Sequence, residues 1–290
     1  MLDHLDQVAE EAMAEWQVPG VAIAVVRADE PLFVKAYGQR DFEAALPVTI
    51  DTQFMLCSIT KTFTAVGLGM LADERRLDWS RPVREYLPEF RLLDPVATDR
   101  VTVRDLLCHH SGLPRHDWIW MPGDRSREDM LGAMRYLEAN RDLRSSFQYS
   151  NLGYMVAGMV AERVAGRSWE EFTRDRIMKP LGMKHFGFSS EELESVQDSA
   201  RPYVMADDKR VRARVWPIRD VPAGGINASI SDMTNYLKLT PRLDVTRHVH
   251  RVTRRLRSGH FPWPTNLFEP PSTSACPPST NSTRRRTRAT

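Results

Sequence analysis

Two short clusters carry side chains whose types and spacing could perform acyl transfer: Ser58-Ile59-Thr60-Lys61 and Tyr149-Ser150-Asn151. A serine hydroxyl is a poor nucleophile until a neighbouring base takes its proton, and a lysine can do so where burial or nearby positive charge disfavours its ammonium form. Ser58 stands where the apolar FMLC gives way to a helical pattern. It is therefore expected at a helix N-terminus, with Lys61 one turn later on the same face. The free N–H groups and positive dipole end of such a terminus favour the oxyanion formed when a carbonyl is attacked. The plain alternative is a capping serine followed by a surface lysine.

Tyr149-Ser150-Asn151 is the only Tyr-x-Asn in the chain and falls between SSFQ and a helical run beginning near Leu152. Residues i and i+2 of an extended piece share a face. Tyr149 could then relay the serine proton to a leaving group, its phenolate favoured by the Lys61 ammonium, while Asn151 holds a substrate amide or orients the lysine. The alternative is a packed tyrosine and an N-capping asparagine.

The elements that must position these residues begin with an acidic amphipathic helix, in which Leu2, Leu5, Val8 and Ala12 recur at helical spacing. The apolar runs 21–26 and 32–38 flank the turn-like RADEP and predict a β-hairpin. After Thr52 the pattern is mostly helical. Leu152, Val156, Met159 and Val160 predict one apolar helix face, Gly166 its end, and Ser168 with Glu171 a capping box for the next helix. Ser229 and Asp232 offer a similar start before MTNYLKL. The organisation expected is 1–55 as the N-terminal helix and hairpin of an α/β domain, 56–240 as a mostly helical region carrying both motifs, and 241–290 as an atypical tail.

A chain of 290 residues with 42% hydrophobic content can bury a large core. No stretch approaches the roughly 18 continuous apolar residues of a membrane span, and the N-terminus does not read as a signal peptide. A cytoplasmic protein without a membrane partner is expected. Cys57, Cys108 and Cys276 are odd in number and widely spaced, giving neither a disulfide framework nor a metal pair. The net charge of +2 conceals an asymmetry: residues 241–290 carry ten Arg, no Lys and only Asp244 and Glu269, about +8, against about −6 before them. That tail is rich in Arg, Pro, Ser and Thr and cannot form a packed core. A disordered or aberrant C-terminus, such as a GC-rich gene read in a shifted frame would give, is preferred to a basic arm, so no nucleic-acid partner is assigned.

Several phrases in order, WQVPGVAIAVV, DTQFMLCSITKTFTA, VTVRDLLCHHSGLPRHD, FQYSNLGYMVAGMVAE, IMKPLGM and PAGGINASISDM, resemble the β-lactamase-related serine hydrolases. That family includes class C β-lactamases, penicillin-binding carboxypeptidases, D-aminopeptidases and family VIII esterases. The resemblance runs from about residue 1 to 240. It implies an α+β, β-lactamase/transpeptidase-like fold: an antiparallel sheet flanked by helices plus an all-helical domain, with the site between them. It implies that Ser58, Lys61 and Tyr149 are catalytic, that Asn151 binds substrate beside them, and that neither a cofactor nor a metal is used. The expected partner is a small-molecule ester, lactam or peptide; the oligomeric state is not legible.

One departure matters. The family's third motif, Lys-Thr-Gly or a variant, lies on a strand that supplies a second oxyanion N–H, and no convincing match follows Lys238; Ser258-Gly259-His260 has no strand pattern around it. The C-terminal part of the sheet is thus expected to be missing, and the hairpin 21–38 to lack partners. The alternative function is a catalytically silent, truncated relative or binding module.

Other signals are set aside. Gly67-Leu68-Gly69-Met70-Leu71-Ala72 imitates a dinucleotide fingerprint without a βαβ unit, and close helix packing explains it better. His109, His110 and His116 lack any zinc-binding spacing, and the resemblance assigns 109–114 to a structural turn. No G-x-S-x-G occurs, and Cys57, without a histidine partner, reads as a small packed residue.

Overall fold

The computed structural model describes residues 4–27, 30–207, 209–215, 217–218 and 221–242. The N-terminal acidic stretch is a helix, Leu5–Glu15. Asp6 in its first turn accepts hydrogen bonds from Lys35 Nζ at 2.7 Å and Tyr37 OH at 2.6 Å. Those bonds fasten the helix to the hairpin of β1 (Gly20–Arg27) and β2 (Glu30–Asp41), which pair antiparallel with Gly20 opposite Gly38 and Val25 opposite Phe33. At Gly38, with φ +70°, a Cβ would stand 2.2 Å from the Pro19 carbonyl oxygen, so only glycine fits.

The hairpin is not alone, contrary to the sequence expectation. β3 (Leu46–Pro47) pairs with β2, and the helix Ile230–Arg242 packs against β1 and β2. A second small sheet was not foreseen. It contains β4 (Gln53–Met55) and β5 (Phe186–Gly187); β6 (Tyr203–Ala206) and β7 (Lys209–Arg212) form a separate hairpin, and β8 (Asn227–Ser229) lies antiparallel between β4 and β5. Strands of two or three residues are too short to display an alternation, which is why the pattern from Thr52 onward reads as mostly helical.

The helical body is organised round the helix Asn151–Ala165. The sequence predicts one apolar face, but residues 151–161 are buried on every side. The reason is that the helix is surrounded: the serine helix Thr60–Asp73 and the short helices Val103–Leu107, Arg127–Ala133, Trp169–Thr173 and Val221–Gly224 all pack on it. A helix enclosed in this way is apolar all round rather than striped. Its ends follow the sequence: Ser150 caps the N-terminus by accepting from Gly153 N, Gly166 ends it at φ +74°, and Ser168 and Glu171 form the capping box of the next helix.

Ser229 also caps as expected, accepting from Asp232 N at 3.2 Å, yet Asp232 does not complete a reciprocal box. Its buried carboxylate instead accepts from the backbone N–H groups of Lys184 and His185, tying the end of β8 to the chain before β5. Within the serine helix, a Cβ on Gly67 would meet Phe172 Cε1 at 3.0 Å while Gly69 faces open space, so close packing accounts for one glycine of the pair. The third motif sought beyond residue 242, with Ser258-Gly259-His260, Cys276 and nearly all of the 241–290 tail, lies outside the described residues. Among the described residues, no helix is long and apolar enough to cross a membrane.

Gly158 is a tight point of the central helix, because a Cβ there would stand 2.4 Å from Pro222 Cβ and Cγ. Alanine in an exposed helix interior stabilises by about 1 kcal/mol over glycine; here overpacking reverses the sign. Gly158→Ala is expected to destabilise by roughly 1–3 kcal/mol in denaturant melts, and a neutral or stabilising result would contradict this packing.

Candidate active site

Ser58 lies in a single 3-10 turn, Cys57–Ile59, that runs directly into the serine helix. The turn is held from behind by the segment following the helix Val221–Gly224. Leu56 N donates to the Ile226 carbonyl at 2.9 Å, Ile226 N donates to Thr60 Oγ1 at 3.1 Å, and Thr64 Oγ1 donates to the Pro222 carbonyl at 2.7 Å. Cys57 takes φ +48° to make the turn, and its side chain is exposed. The residue is thus more exposed than the packed position expected, although partial burial around its thiol pushes the pKa up.

Ser58 Oγ is 2.6 Å from Tyr149 OH and accepts from Lys61 Nζ at 3.2 Å. Lys61 is 7% exposed. Its other two donors reach Asn151 Oδ1 at 2.8 Å and the Ala223 carbonyl at 2.6 Å. A buried ammonium is tolerated only when its donors are bonded, and here each of the three has an acceptor. The ring of Tyr149 adds a cation–π contact, its centroid 5.0 Å from Lys61 Nζ. The structure thus brings all four sequence-selected residues to one point. Ser58 makes no side-chain cap bond, Lys61 is buried, and Ser150 rather than Asn151 caps the following helix, while Tyr149 does pack, against the His109 ring.

Tyr149 and Asn151 face the same way because Ser150 between them is extended, with φ −138° and ψ 122°, and turns inward to cap. The segment leading to Tyr149 is fastened to residues 102–110. Arg144 donates to both oxygens of Asp105 at 2.9 and 2.8 Å, Arg144 N donates to the His110 carbonyl, and Gln148 N donates to the His109 carbonyl. Burial raises the Asp105 carboxyl, but the bonds from Arg144 and from the Thr102 side chain and N–H outweigh it and hold the group below its ordinary range.

Sequence reasoning missed two members of the site. The Ala223 carbonyl is a backbone group that no residue type announces; the signal available was the glycine pair after it and Gly158 opposite. His109, read as part of a structural turn, is buried and touches the site directly. Its Nδ1 accepts from Ser150 N at 3.1 Å, and its ring centroid lies 4.6 Å from that of Tyr149. Burial, the Lys61 charge and His110 push its pKa down to about 4. His116 is apart from it, with Nε2 2.9 Å from the Glu138 carbonyl oxygen. Among the described residues no group of three or more His, Cys, Asp or Glu is placed to hold a metal ion.

The β-lactamase family matches residues 5–270, past the point at residue 240 where the sequence phrases end. The chain belongs to this family. Its fold is the β-lactamase/transpeptidase-like fold seen in the octameric penicillin-binding protein homologue of Pyrococcus abyssi, with 30% identity, a TM-score of 0.71, and coverage of 82% of this chain and 56% of that one. A class C β-lactamase is similar at 26% identity and a TM-score of 0.68, over 81% of this chain and 63% of its own. Among curated proteins, an unguisins hydrolase of Aspergillus campestris is 32% identical over 255 residues, 81% of this chain and 46% of that protein. Protein flp of Staphylococcus aureus is 25% identical over 81% of this chain and 48% of its own length. The chain spans about half the length of the curated relatives it matches.

The buried neutral His109 has a consequence for acid stability. Its folded pKa of about 4 lies below the ordinary 6.5, so between these values the unfolded chain binds a proton that the folded one does not. Stability should therefore be full above pH 6.5 and fall by up to roughly 3 kcal/mol toward pH 4. Urea melts across this range should show a slope that is shallower in His109→Asn; equal slopes would place His109 elsewhere than in a buried site.

Proposed function

We propose that the chain is a metal-independent serine hydrolase acting through an acyl-enzyme on Ser58, with esters, β-lactams or D-amino-acid amides as its substrate classes. The observation that carries this reading is the contact of one hydroxyl, Ser58 Oγ, with both a phenol at 2.6 Å and a buried lysine at 3.2 Å. In this arrangement the three donors of Lys61 are engaged, so the group placed to take the Ser58 proton is the Tyr149 oxygen, with Lys61 held beside it by its hydrogen bonds and the ring contact.

In acylation, Ser58 Oγ bonds to the substrate carbonyl carbon as its proton passes to Tyr149. The carbonyl oxygen takes up the negative charge beside the N-terminus of the serine helix. Collapse of this intermediate breaks the bond to the leaving group, which receives the proton from Tyr149. Water then repeats the sequence: its proton goes to Tyr149, its oxygen bonds to the acyl carbon, and Ser58 leaves reprotonated. Asn151 holds Lys61 in register and presents its amide next to the incoming acyl group. The hydrolase name of the Aspergillus relative and the likeness to penicillin-binding and β-lactamase structures support this class of reaction.

A fluorophosphonate probe is expected to label the parent chain on Ser58 and to give no label in Ser58→Ala. Tyr149→Phe should lower turnover of a p-nitrophenyl ester by roughly 100- to 10,000-fold, the usual contribution of one proton-transfer group. Parental labelling of Ser58→Ala would refute the assignment. A parallel panel of p-nitrophenyl esters, nitrocefin and D-amino-acid p-nitroanilides separates the three substrate classes.

A further inference from the structure

Tyr149 is the one member of the cluster that no regular element holds, since it precedes the helix Asn151–Ala165 and follows an irregular segment. The segment is fastened at several points, and one residue on another part of the chain grips it on both sides of the tyrosine. His109 accepts on both sides of Tyr149: its carbonyl takes the Gln148 N–H at 2.7 Å and its ring Nδ1 takes the Ser150 N–H at 3.1 Å. Its ring then lies tilted against the Tyr149 ring between those two bonds, at 4.6 Å. We propose that His109 is a positioning residue for the proposed Tyr149–Ser58 proton transfer, acting as a neutral imidazole that carries its proton on Nε2.

Three features support the neutral form. Nδ1 accepts a hydrogen bond, so a proton there would set two N–H groups against each other. Positive charge is already close: Lys61 disfavours a charged imidazole directly, and Lys61 and Arg115, the latter paired with Asp117, lie over the neighbouring Tyr149 ring at 5.0 and 5.1 Å. The Tyr154 and Phe147 rings also lie against it, each 5.3 Å away by centroid. The low pKa of about 4 agrees with these surroundings. A neutral ring packs against Tyr149 without adding a further charge to the Lys61 and Arg115 cations already over that ring.

The backbone at His109 is left-handed, with φ +58°, a conformation that His, Asn and Asp accept more readily than other non-glycine residues. This offers a clean separation of roles. Asn at 109 keeps a side-chain acceptor near the Nδ1 position and suits the backbone, but has no ring. Phe keeps a ring and has no acceptor.

The inference rests on the serine-hydrolase reading, so the experiment carries a readout that does not need turnover. His109→Asn, His109→Phe, Ser58→Ala and the parent are labelled with tyrosine carrying 13C at Cζ, and the Tyr149 resonance is assigned by its loss in Tyr149→Phe. The expected result is a displaced or broadened Tyr149 signal with a moved titration midpoint in His109→Phe, largely restored in His109→Asn. With ester substrate, kcat should fall about tenfold or more in His109→Phe with KM changed less than about twofold, and recover in part in His109→Asn, as for a slightly misplaced reacting group. A parental Tyr149 signal and parental kcat in both folded variants would overturn the role of His109. Full activity in Ser58→Ala would overturn the serine reading instead, leaving the Tyr149 signal to judge His109 alone.

Discussion

The arrangement depends on one interaction, the solvation of a buried lysine by protein groups. Moving an ammonium out of water is unfavourable by several kcal/mol unless each donor finds an acceptor. Lys61 meets that condition with Ser58 Oγ, Asn151 Oδ1 and the Ala223 carbonyl, groups drawn from three well-separated parts of the chain. Removing any one acceptor leaves a buried donor exposed to nothing. The helix Asn151–Ala165, the segment Val221–Gly224 and the turn at Ser58 are thereby coupled: each must dock for the others to be tolerable around the charge.

How the docking is achieved explains features remote from the chemistry. Gly158 has no side chain because Pro222 needs that space, and Pro222 needs it because the next carbonyl must reach Lys61. Asp105 is buried at the far side of the Tyr149 segment, where a bidentate Arg144 and the Thr102 cap keep it ionised. Both act through the elements they hold: Gly158 lets the Ala223 carbonyl approach Lys61, and Asp105 anchors the segment leading to Tyr149.

Much of this was legible in the sequence, for reasons that can be named. Ser58 and Lys61 at i and i+3, and Tyr149 and Asn151 at i and i+2, encode their shared faces through the helix and strand periods. Ser150, Ser168 and Gly166 encode helix limits through local hydrogen bonding and positive φ, which is also local. The features not legible were those set by tertiary contact. β4, β5 and β8 are strands because of one another and not because of their own two or three residues. The all-round burial of 151–161 follows from neighbours on every side, and the bracket that His109 makes round Tyr149 joins residues some forty positions apart. Asp232 is instructive: its spacing from Ser229 was a correct sign of a helix start, but its carboxylate is used across space, on Lys184 and His185.

The short hydrogen bond between Ser58 and Tyr149 also marks a seam. Ser58 follows β4 and is bonded through Leu56 to the strand-side segment at Ile226, whereas Tyr149 is bonded through His109, His110 and Asp105 to the helical side. The two oxygens are thus carried by segments braced at different places, and what fixes their separation of 2.6 Å is Lys61, which bonds to both Ser58 Oγ and Asn151 Oδ1. Because a single residue sets that separation, a change that shifts Lys61 moves the Ser58 and Tyr149 oxygens relative to each other even where neither bracing segment is altered.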